Sequence, residues 1–415
     1  RDIFKDAYLP YRDPETPMSL KKLITLLLAQ LFVFVLSHAS PFVSIGDIAD
    51  VYFSGSSSAR WTSNVFRDET DETEDLVYTV SPGFELNFGR GTTNMDLILI
   101  SSYDFVRYRD NDDLDTEMFH IKAVGAYRTS RWDLNAILSF DERQSNSGNA
   151  QAKGTLVQAE DTKASINGEY RLSPKFSFGS GIAYSKKEYI EPENQFANND
   201  SISLPFDLFY EWTPKVDLSV GYRYTAREVD SYDRFPNDPA LGLVEGYDTT
   251  THFLNVGARG VLLPKLTGFF KVGYTLRDSD STRGNSRDDS DGTLGLDADL
   301  SWATTLKLTN KIQLSRDFGV SGEGNVTEVT SINLNSLYLL SNYWSISSNL
   351  GYTLRSYQDS SDREDNQYSA GLNFNYSPNQ YWSFSGGYSY SDNDSDAAGN
   401  SYTDHVFSIA ASLRY

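Results

Sequence analysis

Large apolar residues and small polar residues alternate at every second position along most of this chain. In a β-strand successive side chains point to opposite faces, so each such segment predicts a strand with one apolar and one polar face. The clearest segments, such as 202–212 and 344–354, keep this alternation for 10 to 13 residues. Average strands of soluble proteins are shorter, and a strand of this length matches a tilted crossing of a lipid bilayer.

The alternating segments number eighteen, and an even number of antiparallel strands returns both chain ends to the same side of a membrane. The pattern is weakest at 311–318, so sixteen strands are the alternative. The predicted strands are 57–66, 76–88, 94–108, 117–129, 131–142, 160–172, 175–188, 201–212, 215–228, 249–263, 265–277, 293–308, 311–318, 327–340, 343–356, 366–376, 380–391 and 403–415.

The connections between these segments are alternately short and long. The short ones resemble one another, as in RLSPKF at 171–176, EWTPKV at 211–216 and KLTNKI at 307–312, and their Pro, Asn and Ser residues favour tight turns. The long ones are polar and acidic, as in RDNDDLDTE at 109–117. We therefore predict an all-β fold, a closed antiparallel transmembrane β-barrel with short periplasmic turns and long acidic extracellular loops. A soluble β-sandwich rich in aromatic residues is the alternative.

The N-terminal region contains a targeting pattern. Met18 precedes two lysines, an apolar run of 14 residues from Leu23 to Leu36, and the small residues Ser37 and Ala39 around His38. This pattern predicts a signal peptide at 18–39, cleaved after Ala39. We assign residues 1–17 to an upstream segment outside the mature protein, 40–56 to a periplasmic lead-in and 57–415 to the barrel. No later run of 18 apolar residues exists, which excludes a helical membrane protein.

The end of the chain and its repeated turns resemble known outer-membrane proteins. The last residues read HVFSIAASLRY, with Phe407, Ile409, Leu413 and Tyr415 on one face. This ending resembles the last strand of such barrels, which implies insertion by the barrel-assembly machinery. The L-S-P-K and W-T-P-K turns, with strands such as VDLSVGYRYTAREVD at 216–230, resemble the Putative beta-barrel porin 2 family of Gram-negative bacteria. That resemblance implies a pore, sometimes encoded beside exopolysaccharide export genes, and no catalytic residue.

The polar phase of the strands predicts the wall of a hydrated bore with two unlike arcs. One arc mixes both signs of charge, and facing rows of acids and bases would orient polar solutes. The alternative is that these residues form ion pairs between neighbouring strands or are ordinary solvated wall residues. The long loops 229–248 and 277–292 are candidate plugs. The predicted charged arc is Asp207, Glu211, Asp217, Arg223, Arg227, Arg259, Lys271, Asp297, Asp299 and Lys307, and the neutral arc is Asn333, Asn335, Ser347, Asn349, Asn373, Asn375 and Ser385.

Composition narrows the classes of function. Cysteine is absent, which excludes a disulfide framework and a thiol nucleophile, and the net charge of -21 argues against a nucleic-acid partner. His120, His252 and His405 belong to no catalytic motif, so we expect no enzyme and no cofactor. An acid–histidine arrangement assembled from separate strands is the alternative.

A metal site is not expected either. Asp392, Asp394 and Asp396 have the opening spacing of a calcium loop, but Ala397 and Thr403 stand where glycine and glutamate are required. The acidic loops instead suit the divalent cations that bridge lipopolysaccharide phosphates.

The sequence therefore favours an outer-membrane porin-like channel for small polar or saccharide solutes. The alternative is a structural barrel, associated with exopolysaccharide export, whose lumen is closed by loops or a partner. We expect it to contact outer-membrane lipid, lipopolysaccharide, the assembly machinery and small polar solutes. Alternation leaves the oligomeric state open, because it cannot separate lipid-facing from subunit-facing residues.

Overall fold

The computed structural model describes residues 41–89, 94–145, 156–191, 195, 197–233, 243–244, 246–280, 291–321, 325–357 and 363–415. The predicted upstream segment and signal peptide, residues 1–39, lie outside the described residues. So do 234–242 and 281–290, which belong to the two predicted plugs. In the described ranges, no helix is both long enough and apolar enough to span a membrane.

Eighteen long strands form the wall in the part of the chain that the structure describes, as the alternation predicts. The strands are numbered in chain order, and each strand of the wall is antiparallel to both of its neighbours. Three further short strands are β1 (Val43–Ile45), which pairs with β2, and the ribbon of β11 (Tyr232–Asp233) with β12 (Leu243–Val244). The wall strands are β2 (Ala49–Thr62), β3 (Asp75–Phe88), β4 (Met95–Tyr108), β5 (Thr116–Arg128), β6 (Trp132–Ser145), β7 (Val157–Arg171), β8 (Phe176–Tyr189), β9 (Asn199–Thr213), β10 (Val216–Val229), β13 (Tyr247–Leu263), β14 (Leu266–Ser279), β15 (Asp291–Trp302), β16 (Leu308–Val320), β17 (Val326–Leu339), β18 (Trp344–Tyr357), β19 (Glu364–Tyr376), β20 (Trp382–Ser395) and β21 (Tyr402–Arg414).

The first and last wall strands close the sheet into a barrel. Strands β2 and β21 pair from Ser54 opposite Arg414 to Thr62 opposite Val406. Phe53 and Tyr415 exchange two backbone hydrogen bonds at the end of this seam, at 2.6 and 2.8 Å. A closed sheet leaves no row of unpaired backbone groups, and this closure allows strands to cross hydrocarbon.

The apolar phase of the strands lies on the outer face. Ile166, Val220 and Leu254 there are 58%, 64% and 57% exposed, so they do not meet one another in a dry interior. Aromatic residues gather on the same face where strands meet the short turns, in three ring pairs with centroids 4.5 to 5.1 Å apart: Trp132 with Tyr170, Phe176 with Tyr210, and Trp344 with Tyr376. Such rings suit the boundary between lipid and water.

The short turns are built as their residues dictate. Leu263 pairs with Leu266 across Pro264 and Lys265, and Lys265 has φ of +66°. Proline at the first central position, followed by a residue with positive φ, is the pattern of a type II turn. This geometry joins β13 to β14 with two residues and brings the strands back at once.

Two predicted boundaries are wrong. Strand β2 begins at Ala49 and not at 57, because Gly55 and Ser57 interrupt its apolar face and hide the alternation. The turn predicted at 307–312 lies earlier, between β15 and β16, where the Thr305 hydroxyl accepts hydrogen bonds from the backbone amides of Lys307 and Leu308. The weakest predicted strand, 311–318, lies within β16.

Three apolar clusters fill part of the bore at the loop end. A 3₁₀ helix at Asp112–Leu114 and the segment after β2 bring Leu114 and Val65 against inward residues of β3 and β4. Ala197 packs on the end of β8. Phe318 and Val326, from the β16–β17 hairpin, reach Val229 and Tyr247 of the β10 and β13 ends. Segments outside the two predicted plugs therefore narrow this mouth.

Candidate solute pathway

Ion pairs between strands that are not neighbours identify the inner face of the barrel. Around the wall the order of strands is β7, β8, β9, β10, β13, β14, β15, β16. Arg259 on β13 donates to Glu169 on β7, four strands away, with N–O distances of 2.6 and 2.7 Å. Neighbouring strands lie about 4.8 Å apart, so four steps cover about 19 Å of wall. Two side chains can bridge such strands only from the inside, across a strongly curved wall.

Arg259 is the centre of the first bridge. Its Nε also donates to Asp217 on the neighbouring β10, at 2.9 Å. Its guanidinium lies 3.5 Å from the centroid of the Phe209 ring, which is only 8% exposed. The bidentate bond to Glu169 and the stacking on Phe209 use the planar shape of the guanidinium, so a lysine could not replace it.

Two more cations bridge the bore above Arg259. The Lys271 ammonium on β14 donates to both carboxylate oxygens of Asp207 on β9, at 2.7 and 2.9 Å. Arg223 on β10 donates to Asp297 on β15 at 3.3 Å and to Asp317 on β16 at 2.6 Å. These bridges join β9 and β10 to β14, β15 and β16. The residues of the charged arc therefore contact one another and line one side of the bore.

The opposite side of the bore carries amides, hydroxyls and glycines. Asn333, Asn349 and Asn373 lie directly across from Gly351, Gly371 and Gly387 in three successive strand pairs, β17 to β20. A Cβ added at Gly371 would lie 2.2 Å from Oδ1 of Asn349, so each amide lies over the glycine beside it. The amides therefore lie flat along the wall.

The remaining predicted wall residues fall into three groups. On the charged arc, Asp299 accepts from Lys311 at 3.0 Å, and Arg227 lines a cavity of about 780 Å³ with Arg223. On the neutral arc, Asn335 and Ser347 line a cavity of about 500 Å³ with Asn349 and Asn373. Asn375 donates to Ser347 at 3.3 Å, and Ser385 is the strand neighbour of Asn375. Glu211 is exposed near the end of β9.

Lys307 is not on the wall. It lies in the turn before β16, and its ammonium donates to the Leu340 carbonyl of the next short turn, at 3.1 Å. The prediction was wrong because it continued β15 to 308, whereas β15 ends at Trp302.

The three histidines in the described ranges occupy two kinds of surface. His120 lies inside, with its ring nitrogens 3.2 Å from Asp141 and 3.5 Å from Asp104. Among the described residues no hydroxyl lies within hydrogen-bond distance of that ring. His252 and His405 lie outside, each 2.8 Å from a tyrosine hydroxyl, of Tyr222 and Tyr388. In the same ranges no group of three or more His, Asp or Glu side chains is arranged to hold a metal ion.

Sequence reasoning missed a basic cavity of about 310 Å³ at the loop end of the bore. Its basic residues come from β6, β8, β18 and two loop segments, which are far apart in the chain. One signal could have suggested this cavity: Lys187 and Arg355 both occupy inward positions near the ends of their strands. The acidic loops beside them in the sequence hide that signal.

One family model and several solved structures match this chain. A family model described as Putative beta-barrel porin 2 matches residues 51–415. The outer membrane protein OpdK of Pseudomonas aeruginosa is 10% identical, with a TM-score of 0.44 over 88% of this chain and 99% of that one. The ferric-catecholate import receptor Fiu of E. coli K12 is 10% identical, with a TM-score of 0.44 over 91% and 82%. BauA, the ferric preacinetobactin receptor of Acinetobacter baumannii, is 9% identical, with a TM-score of 0.45 over 87% and 80%. No curated protein matches the chain significantly.

Proposed function

Because the chain belongs to the Putative beta-barrel porin 2 family of outer-membrane barrels, we propose that it is a diffusion channel for small polar or saccharide solutes. The solute path runs beside the neutral arc of the bore. One observation supports this most: the amides of Asn333, Asn349 and Asn373 lie flat over glycines, so the wall offers hydrogen bonds without projecting into the path. Weak, repeated hydrogen bonds let a solute enter and also leave.

The charged arc has a different role in this proposal. Arg223, Arg259 and Lys271 are already paired with carboxylates across the bore, so their charges are largely neutralised locally. They brace the curved wall and restrict the path to the other side. In this channel the bridges set the width of the bore, and the neutral arc provides the surface along which solutes move.

The test is conductance in planar lipid bilayers. Folded protein in potassium chloride should give steady, reproducible current steps. Vesicles carrying the protein should also swell in isotonic glucose, because the sugar enters. Silence from protein with the circular dichroism of a folded barrel would contradict the channel.

A second candidate has its own support. Val65, Leu114, Ala197 and Phe318 all pack inward at the loop end, which supports a structural barrel with a loop-closed lumen. We propose that such a barrel would act beside an exopolysaccharide exporter. That barrel would be silent until the loop packing is loosened. Conductance that appears only in a loosened variant would favour this candidate over the open channel.

A further inference from the structure

A basic cavity of about 310 Å³ crosses the bore near its loop end. One of its walls is formed by the ends of β6, β7 and β8, and the other by the ends of β18 to β21. Strands β8 and β18 are eight steps apart in the order of the wall, nearly opposite each other. The cavity is therefore a section of the bore itself, and a solute on this path passes between its two walls.

Cations from both walls and from the loops line this cavity. They are Arg143 and Lys187 on one wall, Arg355 and Arg363 on the other, and Arg67 from the segment after β2. Asp365 is the acidic residue among the described lining residues. This excess of positive charge stands in a protein whose net charge is -21. A narrow passage with low-dielectric walls concentrates such a field.

Two of the five cations have carboxylate partners. Arg363 donates to both oxygens of Asp365, at 2.8 and 2.7 Å, and Arg143 lies 3.0 Å from Asp161. Over the described ranges, no carboxylate oxygen lies within 4.0 Å of the charged nitrogens of Arg67, Lys187 or Arg355. These three cations are available to a solute.

Three of the cations lie over tyrosine rings. The distance from charge to ring centroid is 5.0 Å for Lys187 over Tyr189, 4.2 Å for Arg363 over Tyr357, and 5.2 Å for Arg67 over Tyr402. Stacking on a ring orients a cation without neutralising its charge. The three rings are only 5 to 9% exposed, so they pack behind the cations and help to hold them in place.

Arg67 is held in place at a cost in backbone energy. Its φ is +50°, a conformation that is unusual for arginine. The turn is fixed by Asn64, whose Nδ2 donates to the carbonyls of Asp68 and Thr403, at 2.7 and 3.2 Å. Asn64 also accepts from the Asp68 amide through Oδ1, at 2.9 Å. Strain that the surroundings maintain so fully often marks a functional position.

We propose that this cavity is an anion-selective site for carboxylate-bearing solutes about the size of one sugar ring. The assignment rests on the proposed channel and names the class of solute that it selects. Guanidinium groups match a carboxylate in shape as well as charge. The volume is at the small end of the range of ligand cavities, which suits one ring.

The experiment compares glucuronate with glucose, which differ in one carboxylate. In a potassium chloride gradient, the sign of the reversal potential should show preference for chloride. Glucuronate should reduce the current at concentrations where glucose does not. Thermal unfolding of the detergent-solubilised protein with each sugar measures binding without conductance, and glucuronate alone should raise the midpoint.

The test variant is Lys187→Gln with Arg355→Gln, which removes two cations that lack carboxylate partners. The concentration of glucuronate for half block should rise about tenfold or more, and chloride preference should fall. The matched control is Lys175→Gln with Lys215→Gln, which makes the same charge change in the short turns and should behave as wild type. Circular dichroism shows that each variant is folded, and the wild-type measurements decide the proposal even if one is not.

The outcomes separate this inference from the channel proposal. A conducting wild type that prefers potassium, or that glucose and glucuronate affect equally, overturns the anion site and leaves the channel intact. A silent wild type overturns the channel proposal. In that case a rise of the unfolding midpoint with glucuronate alone still supports the binding site, and equal midpoints with both sugars overturn it.

Discussion

Arg259 and Glu169 form a bidentate ion pair across the bore, although four strands separate them along the wall. Such a pair does more than neutralise charge, because it holds two distant parts of a closed sheet at a fixed separation. Arg223 and Lys271 repeat the arrangement at other heights. These charge pairs therefore brace the side of the barrel from β7 to β16, and in the described ranges no ion pair of this kind joins the asparagine and glycine rows.

The first prediction concerns this brace. Glu169→Gln should destabilise the barrel by about 1–2 kcal/mol, less than a fully buried pair, because both side chains are about 30% exposed. Arg259→Met should cost more, because it leaves both Glu169 and Asp217 without a cation. The double variant should cost less than the sum of the two, since Glu169 is then no longer left charged beside a missing Arg259. Urea unfolding in lipid vesicles measures all three, and strictly additive costs would contradict a direct pair.

The second prediction concerns the asparagine–glycine rows. Gly371→Ala should lower conductance without lowering stability, because the new methyl group displaces the Asn349 amide into the bore. The control is Gly386→Ala on the outer face, where the nearest atom to the new Cβ would be 3.8 Å away. Single-channel current measures the effect. Equal currents for the two variants would show that the amide does not border the path.

The third prediction concerns the loop after β4. The buried carboxylate of Asp75 accepts hydrogen bonds from the backbone amides of Arg109, Asp110 and Asn111, at 3.1 to 3.2 Å. Asp75→Asn removes one acceptor oxygen and the negative charge, so the loop should detach and trypsin should cleave faster after Arg109. Asp110→Asn, in the same loop but on its surface, is the control. Mass spectrometry of the digests reports the rates, and no difference between the variants would contradict this anchor.

The fourth prediction concerns the packing at the loop mouth. Val65 is 7% exposed against Val77, Val106 and Leu114. Val65→Asp would bury an unpaired carboxylate at a cost of several kcal/mol, so the segment should swing outward and the conductance should rise. Thr70→Asp adds the same charge to an exposed position of that segment and should leave the current unchanged. A wild-type current in the Val65 variant would show that this cluster does not limit flow.

Alternation alone predicts much of this fold. A period of two decides which face each side chain occupies: Asp207 and Arg223 form ion pairs with strands that are not their neighbours, whereas Leu208 is 45% exposed on the outer face. The start of β2 was missed because an outward glycine and serine carry no apolar signal. Hydrophobic pattern therefore predicts a strand only where the lipid-facing positions are large.

The contacts across the bore could not be predicted in this way. The pattern gives the inward phase of Glu169 and Arg259 but does not indicate that their strands approach each other inside a curved wall. The basic cavity is even harder to predict from the sequence, because Arg67, Lys187 and Arg355 come from three distant parts of the chain. Closure of the barrel brings them together, and neighbouring acids in the sequence dilute their charge.

The seam between Ser54 and Arg414 makes completion of this protein an all-or-none event. Strand β2 can complete its pairing only after β21 has been synthesised, because its partner comes last along the chain. A nonsense mutation that removes β21 would leave β2 and β20 with unpaired strand edges that face hydrocarbon. We expect such a truncated chain to be degraded before it is inserted into the membrane, so that no partially active pore forms.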